Sequence, residues 1–100
     1  MTNAALTQER LRGLPPQERA EALEDLALTE FRRVLLMEED EELSVDVSFF
    51  DLGLTSLRLM DVKQSLEREL GLDIDATALF NQPTIEQLVA YLDNALEVSA

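Results

Sequence analysis

The chain contains no cysteine and no histidine. Without cysteine there is no disulfide framework and no thiolate nucleophile. Without histidine there is no Ser-His or Cys-His pair, and the two commonest transition-metal ligands are both missing. Tryptophan is absent and Tyr91 is the single tyrosine, so aromatic side chains make up only 5% of residues. An enzyme built from this chain would have to work with carboxylates, hydroxyls, arginine and one lysine. Basic charge is scarce as well: 8 Lys and Arg stand against 21 Asp and Glu, a net charge of −13. That balance argues against nucleic acid as a partner, because phosphate backbones are bound by clustered Lys and Arg. It also repels anionic lipid and favours partners with basic patches. No apolar run is long enough to span a membrane, and the opening MTNAALTQER lacks the apolar centre of a signal peptide. The expectation is a cytoplasmic chain with no membrane and no nucleic-acid partner. No heptad run supports dimerisation, so a monomer is expected.

What is present is enough for one small domain: 100 residues, 46% of them apolar. Residues 1–15 carry scattered leucines (Leu6, Leu11, Leu14) closed by Gly13 and Pro15-Pro16, which reads as a linker or a loosely packed N-terminal turn. The first firm helix starts at Pro16, suited to the first helical position. Leu23, Leu26, Ala27, Glu30, Phe31 and Val34 fall at three- and four-residue steps, with Glu30 the polar member of the stripe, and the helix is expected to end near Met37. A second helix is expected over 56–70, with Leu59, Val62, Leu66 and Leu70 turned to the core and Gly71 as its stop. A short helical turn over 76–81, capped by Asp75 or Thr77, precedes Pro83. Thr84-Ile85-Glu86-Gln87 is a capping-box pattern that opens a last helix with Ile85, Leu88, Val89, Leu92 and Leu96 on one face. The tail from Glu97 reads as frayed. The fold class that follows is all-α: a small antiparallel bundle of three main helices and one short one, with a long loop between the first two main helices.

That loop, residues 38–55, holds seven acidic residues and no basic one, and loops of this length are often functional. Leu43, Val45, Val47, Phe49, Phe50, Leu52 and Leu54 read as apolar anchors onto the helices. Gly53 is expected to turn the chain just before Ser56, where the second helix begins. A helix N-terminus leaves N–H groups free and carries partial positive charge, which suits a phosphate. From the residues alone, the reading of Ser56 as a helix cap is the stronger one, since serine is common there. Leu57 and Met60, opposite the core stripe with Asp61 and Gln64, are either exposed or part of a wide buried face. Arg58, Lys63 and Arg68 read as local ion-pair partners, Arg58 with Asp61 for instance, or as contacts to acidic sites on another protein. Asp51 and Asp61 have no basic partner or cleft that would favour acid–base catalysis. The run 38–42 lacks the glycine and spacing of a calcium loop. No catalytic and no metal-binding residue is expected.

Two stretches carry a family resemblance. One is Phe49-Phe50-Asp51-Leu52-Gly53-Leu54-Thr55-Ser56-Leu57; the other is Leu79-Phe80-Asn81-Gln82-Pro83-Thr84-Ile85, with Leu88 and Leu92 after it. Together, in this order of helices, they resemble the carrier-protein family: the acyl carriers of fatty-acid and polyketide synthases and the peptidyl carriers of nonribosomal peptide synthetases. The resemblance spans roughly residues 16–97, with 98–100 as tail. It implies that Ser56 bears 4'-phosphopantetheine, transferred from coenzyme A by a phosphopantetheinyl transferase, and that the arm's thiol holds acyl cargo as a thioester. A chain without cysteine would thereby acquire its thiol from outside. The implied role is non-catalytic: a carrier delivering intermediates to acyltransferase, ketosynthase and other synthase domains. Asp51, Leu54, Thr55, Leu57, Arg58, Met60, Asp61 and Gln64 are the expected partner-recognition residues. The chain departs from many relatives in having Thr55 where they have aspartate. Arg58, Lys63 and Arg68 depart from the strongly acidic second helix of stand-alone fatty-acid carriers, and Leu54 from the second glycine of peptidyl carriers. The pattern is most similar to a modular polyketide acyl carrier, with a peptidyl carrier or an unmodified helical docking module as the alternatives.

Overall fold

The helices begin and end where the sequence supplies caps and breakers. A computed structural model of the chain describes residues 3–38 and 40–98. It shows five helices: α1 (Asn3–Arg12), α2 (Pro16–Leu35), α3 (Ser56–Leu70), α4 (Ala76–Asn81) and α5 (Ile85–Val98). The described residues form no strand, only one isolated antiparallel bridge between Ser48 and Thr84. The all-α bundle expected from periodicity is therefore the observed class.

Three apolar stripes make the core. Leu23, Ala27, Phe31 and Val34 of α2 meet Leu59, Val62, Leu66 and Leu70 of α3 and Ile85, Leu88, Val89, Leu92 and Leu96 of α5, all buried. Helix α2 runs antiparallel to both others. At one end the Arg58 guanidinium of α3 donates to the Val34 carbonyl of α2 at 2.6 Å. At the other, Arg19 of α2 is buried and pairs with Asp93 and Glu97 of α5. A buried guanidinium is tolerable only when paired in this way.

Two terminal readings are corrected. Residues 3–12 are not a loose turn or linker but helix α1, laid across the C-terminal ends of α3 and α5. Leu11 is buried in the core. The Gln8 side-chain amide donates to the Leu70 and Gly71 carbonyls at 2.6 and 3.1 Å, and Arg12 Nε donates to the Leu96 carbonyl at 3.2 Å. Gln8 thus satisfies the Leu70 carbonyl at the end of α3, and Arg12 ties α1 to the last turn of α5. Glu97 and Val98 are not frayed but helical, Glu97 accepting from Arg19 at 2.9 Å; residues 99 and 100 of the expected tail lie outside the described residues.

The long loop is held to the start of α5. The Phe49 N–H donates to the Pro83 carbonyl at 2.6 Å and the Glu86 N–H to the Val45 carbonyl at 3.0 Å. Phe49 is buried with its ring centroid 4.7 Å from that of Phe31. Phe50, on the surface, stacks on Phe80 of α4 at 5.9 Å. Helix α4 is capped by Asp75, which accepts from the Thr77 N–H at 2.9 Å. Thr84 caps α5 through the Gln87 N–H at 3.1 Å, as the capping-box pattern predicts.

Candidate functional site

Phe49 and Leu54, both buried, hold the two ends of a tight turn in the core. Within it the Gly53 N–H donates to the Phe50 carbonyl at 3.2 Å and the Leu54 N–H to the Phe49 carbonyl at 3.1 Å. Gly53 has φ of 106°, a conformation side chains resist, so glycine is required there. The turn delivers the chain to the N-terminus of α3 with Thr55 as N-cap: its Oγ1 accepts from the Arg58 N–H at 3.2 Å. Ser56 is then the first residue of the helix, exposed and relieved of capping. The reading of Ser56 as a structural cap thus passes to its neighbour, and Thr55 does the capping work that a side-chain oxygen at this position performs.

Around Ser56 the electrostatics favour an anion. The first turn of α3 contains no acidic residue, and the N–H groups of Ser56 and Leu57 have no partner among the described residues. Asp61, the nearest acid along the helix, is turned towards α2, where Arg33 pairs with it at 3.2 Å. Arg33 also meets Glu30 at 2.9 Å, and the hydrogen bonds it donates to Asp61 and Glu30 raise its already high pKa. The expected Arg58–Asp61 pair is therefore not the one formed. Arg58 reaches instead to the Val34 carbonyl, because the bundle brings the end of α2 alongside the start of α3.

Six of the eight residues expected to recognise partners share one surface. Thr55, Leu57, Arg58, Met60, Asp61 and Gln64 line an open depression of about 470 Å³ along α3. Leu57 is 82% exposed and so lies on the surface, whereas Met60 is half-buried against the core. Asp51 is exposed on the adjoining turn. Leu54 packs in the core at 4% exposure, as its reading as an apolar anchor requires, and can serve recognition only by holding the turn. Lys63 is committed to Glu67 at 3.1 Å. Glu67 also accepts from the Ile74 N–H at 2.9 Å, and this bond, with Lys63, holds its carboxyl below the ordinary glutamate value. That triad ties α3 to the connector before α4. Arg33 and the Val34 carbonyl were not singled out from the sequence, since only the tertiary packing of α2 on α3 brings them to the site. Among the described residues no group of His, Cys, Asp and Glu is arranged to hold a metal ion.

Known proteins share this architecture. A family model described as the phosphopantetheine attachment site matches residues 25–92. The spectinabilin polyketide synthase system protein NorC of Streptomyces orinoci is 33% identical over 99 residues, which is 99% of this chain and 4% of that protein. Polyketide synthase GfsA of Streptomyces halstedii is 39% identical over 83 residues, 83% of this chain and 1% of that protein. The chain thus spans only a small fraction of the length of these relatives. Among solved structures, the A1-type ACP domain from module 5 of MLSA1 superposes with a TM-score of 0.80 at 29% identity, covering 92% of each chain. With the family pattern matched over most of its length and the same helical bundle around the serine turn, the chain belongs to the phosphopantetheine attachment site family, whose members are non-catalytic carriers of that arm.

Proposed function

We propose that this chain is the acyl carrier domain of a modular polyketide synthase and that Ser56 is its attachment residue. The observation that carries the reading is the division of labour at the start of α3: Thr55 caps the helix, and Ser56 stands exposed beside it with no structural duty. The polyketide assignment is supported by the two relatives, both polyketide synthase proteins by description. The residues fit the group. A phosphodiester on Ser56 Oγ would sit at the positive end of α3, near the N–H groups of Ser56 and Leu57, with no acid in the first turn to oppose it. Thr55 in place of an aspartate removes one more negative charge from that neighbourhood. Once bound, the arm supplies the thiol that a chain without cysteine lacks, and on it acyl intermediates travel as thioesters.

The Ser56 hydroxyl oxygen bonds to the pantetheine-side phosphorus of coenzyme A, the pyrophosphate P–O bond breaks with adenosine 3',5'-bisphosphate as leaving group, and the serine proton passes to a base. The chain has no histidine and Asp61 is engaged by Arg33, so the modifying enzyme provides the base. The partners in this reading are a phosphopantetheinyl transferase, then the acyltransferase, ketosynthase and other synthase domains, all meeting the depression along α3. Such contacts must be weak enough to release, which favours small, polar interfaces. The carrier unit takes in α1 through α5. Among the described residues no helix is long and apolar enough to cross a membrane, and we place the chain in the cytoplasm.

The test is intact mass before and after incubation with coenzyme A and a broad-specificity phosphopantetheinyl transferase. The wild-type chain is expected to gain one phosphopantetheine and Ser56→Ala none. A gain that survives in Ser56→Ala removes the assignment of Ser56. No gain in the wild-type chain, with the transferase active on a control carrier, leaves an unmodified docking module as the function.

A further inference from the structure

Helix α1 is lightly held for its length. Leu11 is the one buried side chain among those described in it, while Leu6, Glu9 and Arg10 are exposed. Two polar side chains carry its long-range bonds, Gln8 to the Leu70 and Gly71 carbonyls and Arg12 to the Leu96 carbonyl. Its seat is bare backbone: a Cβ on Gly71 would stand 2.9 Å from Gln8 Nε2 and 3.1 Å from Ala4 Cβ. The helix has 10 residues, and alone in water a helix needs about 12–15 even with good formers. Docking and helix formation in α1 are therefore coupled, since an undocked α1 does not stay helical.

The remaining helices are completed without it. Helix α2 has its own start: Pro15 is the N-cap, Pro16 takes the first position, and the Arg19 N–H donates to the Pro15 carbonyl at 2.9 Å. That start is fastened to α5 by the Arg19 guanidinium, which pairs with Asp93 and Glu97. Leu14 packs against the core and belongs to the bundle, which leaves Gly13 as the joint. Lifting α1 uncovers Leu11 and its seat and returns the Leu70 and Gly71 carbonyls to water, which can satisfy them. The three apolar stripes of α2, α3 and α5 stay as they are.

We infer that α1 is a releasable strap: it undocks and melts as one unit while α2 to α5 stay folded, and it redocks as the helix reforms. Docked, residues 3–12 span about 15 Å as a helix; released and extended, they reach about 33 Å. The strap thereby sets how far the bundle stands from anything attached on its N-terminal side. That consequence rests on the reading of the chain as one carrier domain within a longer synthase; the release itself is a property of this chain. Segments that open below the global unfolding free energy are those with few buried contacts, which is the condition of α1.

The experiment is native-state amide hydrogen exchange of the whole chain, read by NMR at denaturant concentrations below the unfolding transition, for wild type and Val34→Ala. Val34 is buried near the end of α2, away from α1. The amides of residues 7–12 are compared with those of residues 66–70 in α3. In wild type the α1 amides are expected to share one protection factor about 100-fold below that of α3, with a shallower denaturant dependence, because only α1 opens. Val34→Ala weakens the bundle in its docked and released forms alike. It is expected to speed α3 exchange about tenfold and to change α1 exchange by less than about twofold. Protection of α1 equal to that of α3, or an equal response to Val34→Ala, makes α1 part of the single cooperative unit and overturns the strap. Protection that falls step by step from residue 12 to residue 7 is fraying and overturns it too. So does a complete lack of protection, since α1 would then never be docked. Loading of Ser56, read separately by intact mass, is untouched by any of these outcomes.

Discussion

Two adjacent hydroxyl residues do different jobs, and exchanging either for alanine separates them. Thr55→Ala removes the Oγ1 that accepts from the Arg58 N–H at 3.2 Å, leaving that donor to water. Loss of an N-cap of this kind costs about 1 kcal/mol. For a domain of this size that corresponds to a fall in melting temperature of about 4–8 °C. Ser56 is exposed and its side chain has no hydrogen bond among the described contacts, so Ser56→Ala is expected to change stability by less than about 0.5 kcal/mol. The assay is thermal unfolding followed by circular dichroism at 222 nm, a wavelength that follows helix content (~222 nm, dominated by the helices that order the chain). Thr55→Ser, which keeps the hydroxyl, serves as the control and is expected to recover most of the loss. Loading is expected to show the reverse order, retained in Thr55→Ala and absent in Ser56→Ala. If Ser56→Ala melts as far below wild type as Thr55→Ala does, serine shares the capping and the division of labour is wrong.

Other perturbations probe the frame that presents the serine. Gly71 has φ of 65°, and a Cβ there would stand 2.9 Å from Gln8 Nε2 and 3.1 Å from Ala4 Cβ. Gly71→Ala is therefore expected to cost about 1–2 kcal/mol and to loosen α1, seen as faster amide exchange in residues 4–12; unchanged protection of α1 would show that its docking does not depend on that close approach. The Glu67 carboxyl is held below its ordinary value by the Ile74 N–H and Lys63. A carboxylate favoured in the folded state contributes at neutral pH, and the contribution drains away as pH falls from the ordinary glutamate range through the lowered folded value. The gap in melting temperature between wild type and Glu67→Gln should therefore narrow in acid, and a gap independent of pH would remove the carboxylate's role.

The readable parts of the fold were those governed by short spacings. Leu59, Val62, Leu66 and Leu70 lie three or four residues apart, so their shared burial follows from helix geometry alone. Gly53, Gly71 and Thr84 act through their immediate neighbours and were legible for the same reason. Helix α1 was not, because Leu11 is the one buried side chain among those described in it and its holding bonds reach across 62 to 84 residues of sequence, from Gln8 to Leu70 and from Arg12 to Leu96. The same limit explains Asp61, which local spacing assigns to Arg58 and tertiary packing gives to Arg33. Arg19 lay hidden because a charged residue reads as surface until its partners on α5 are known. Leu54 reads from the sequence both as an anchor and as a recognition residue, and the turn at Gly53 sets it in the core as an anchor. At the start of α3 the cap lies one residue earlier than the sequence suggests, on Thr55 and not on Ser56.

The placement of α1 makes the bundle a lever. Gln8 and Arg12 lie over the C-terminal ends of α3 and α5, and Ser56 stands at the opposite end of α3. With 15 residues in α3, the two ends are separated by about 22 Å at 1.5 Å per residue. Whatever grips the molecule through α1 and the end of α5 holds it by the pole farthest from the serine. A tilt of about 30° about that pivot would carry Ser56 sideways by about 11 Å, from the same helical rise, without unfolding a single turn. Small rotations at that pole are thus magnified at Ser56, with α1 bonded to the ends of both helices at the pivot.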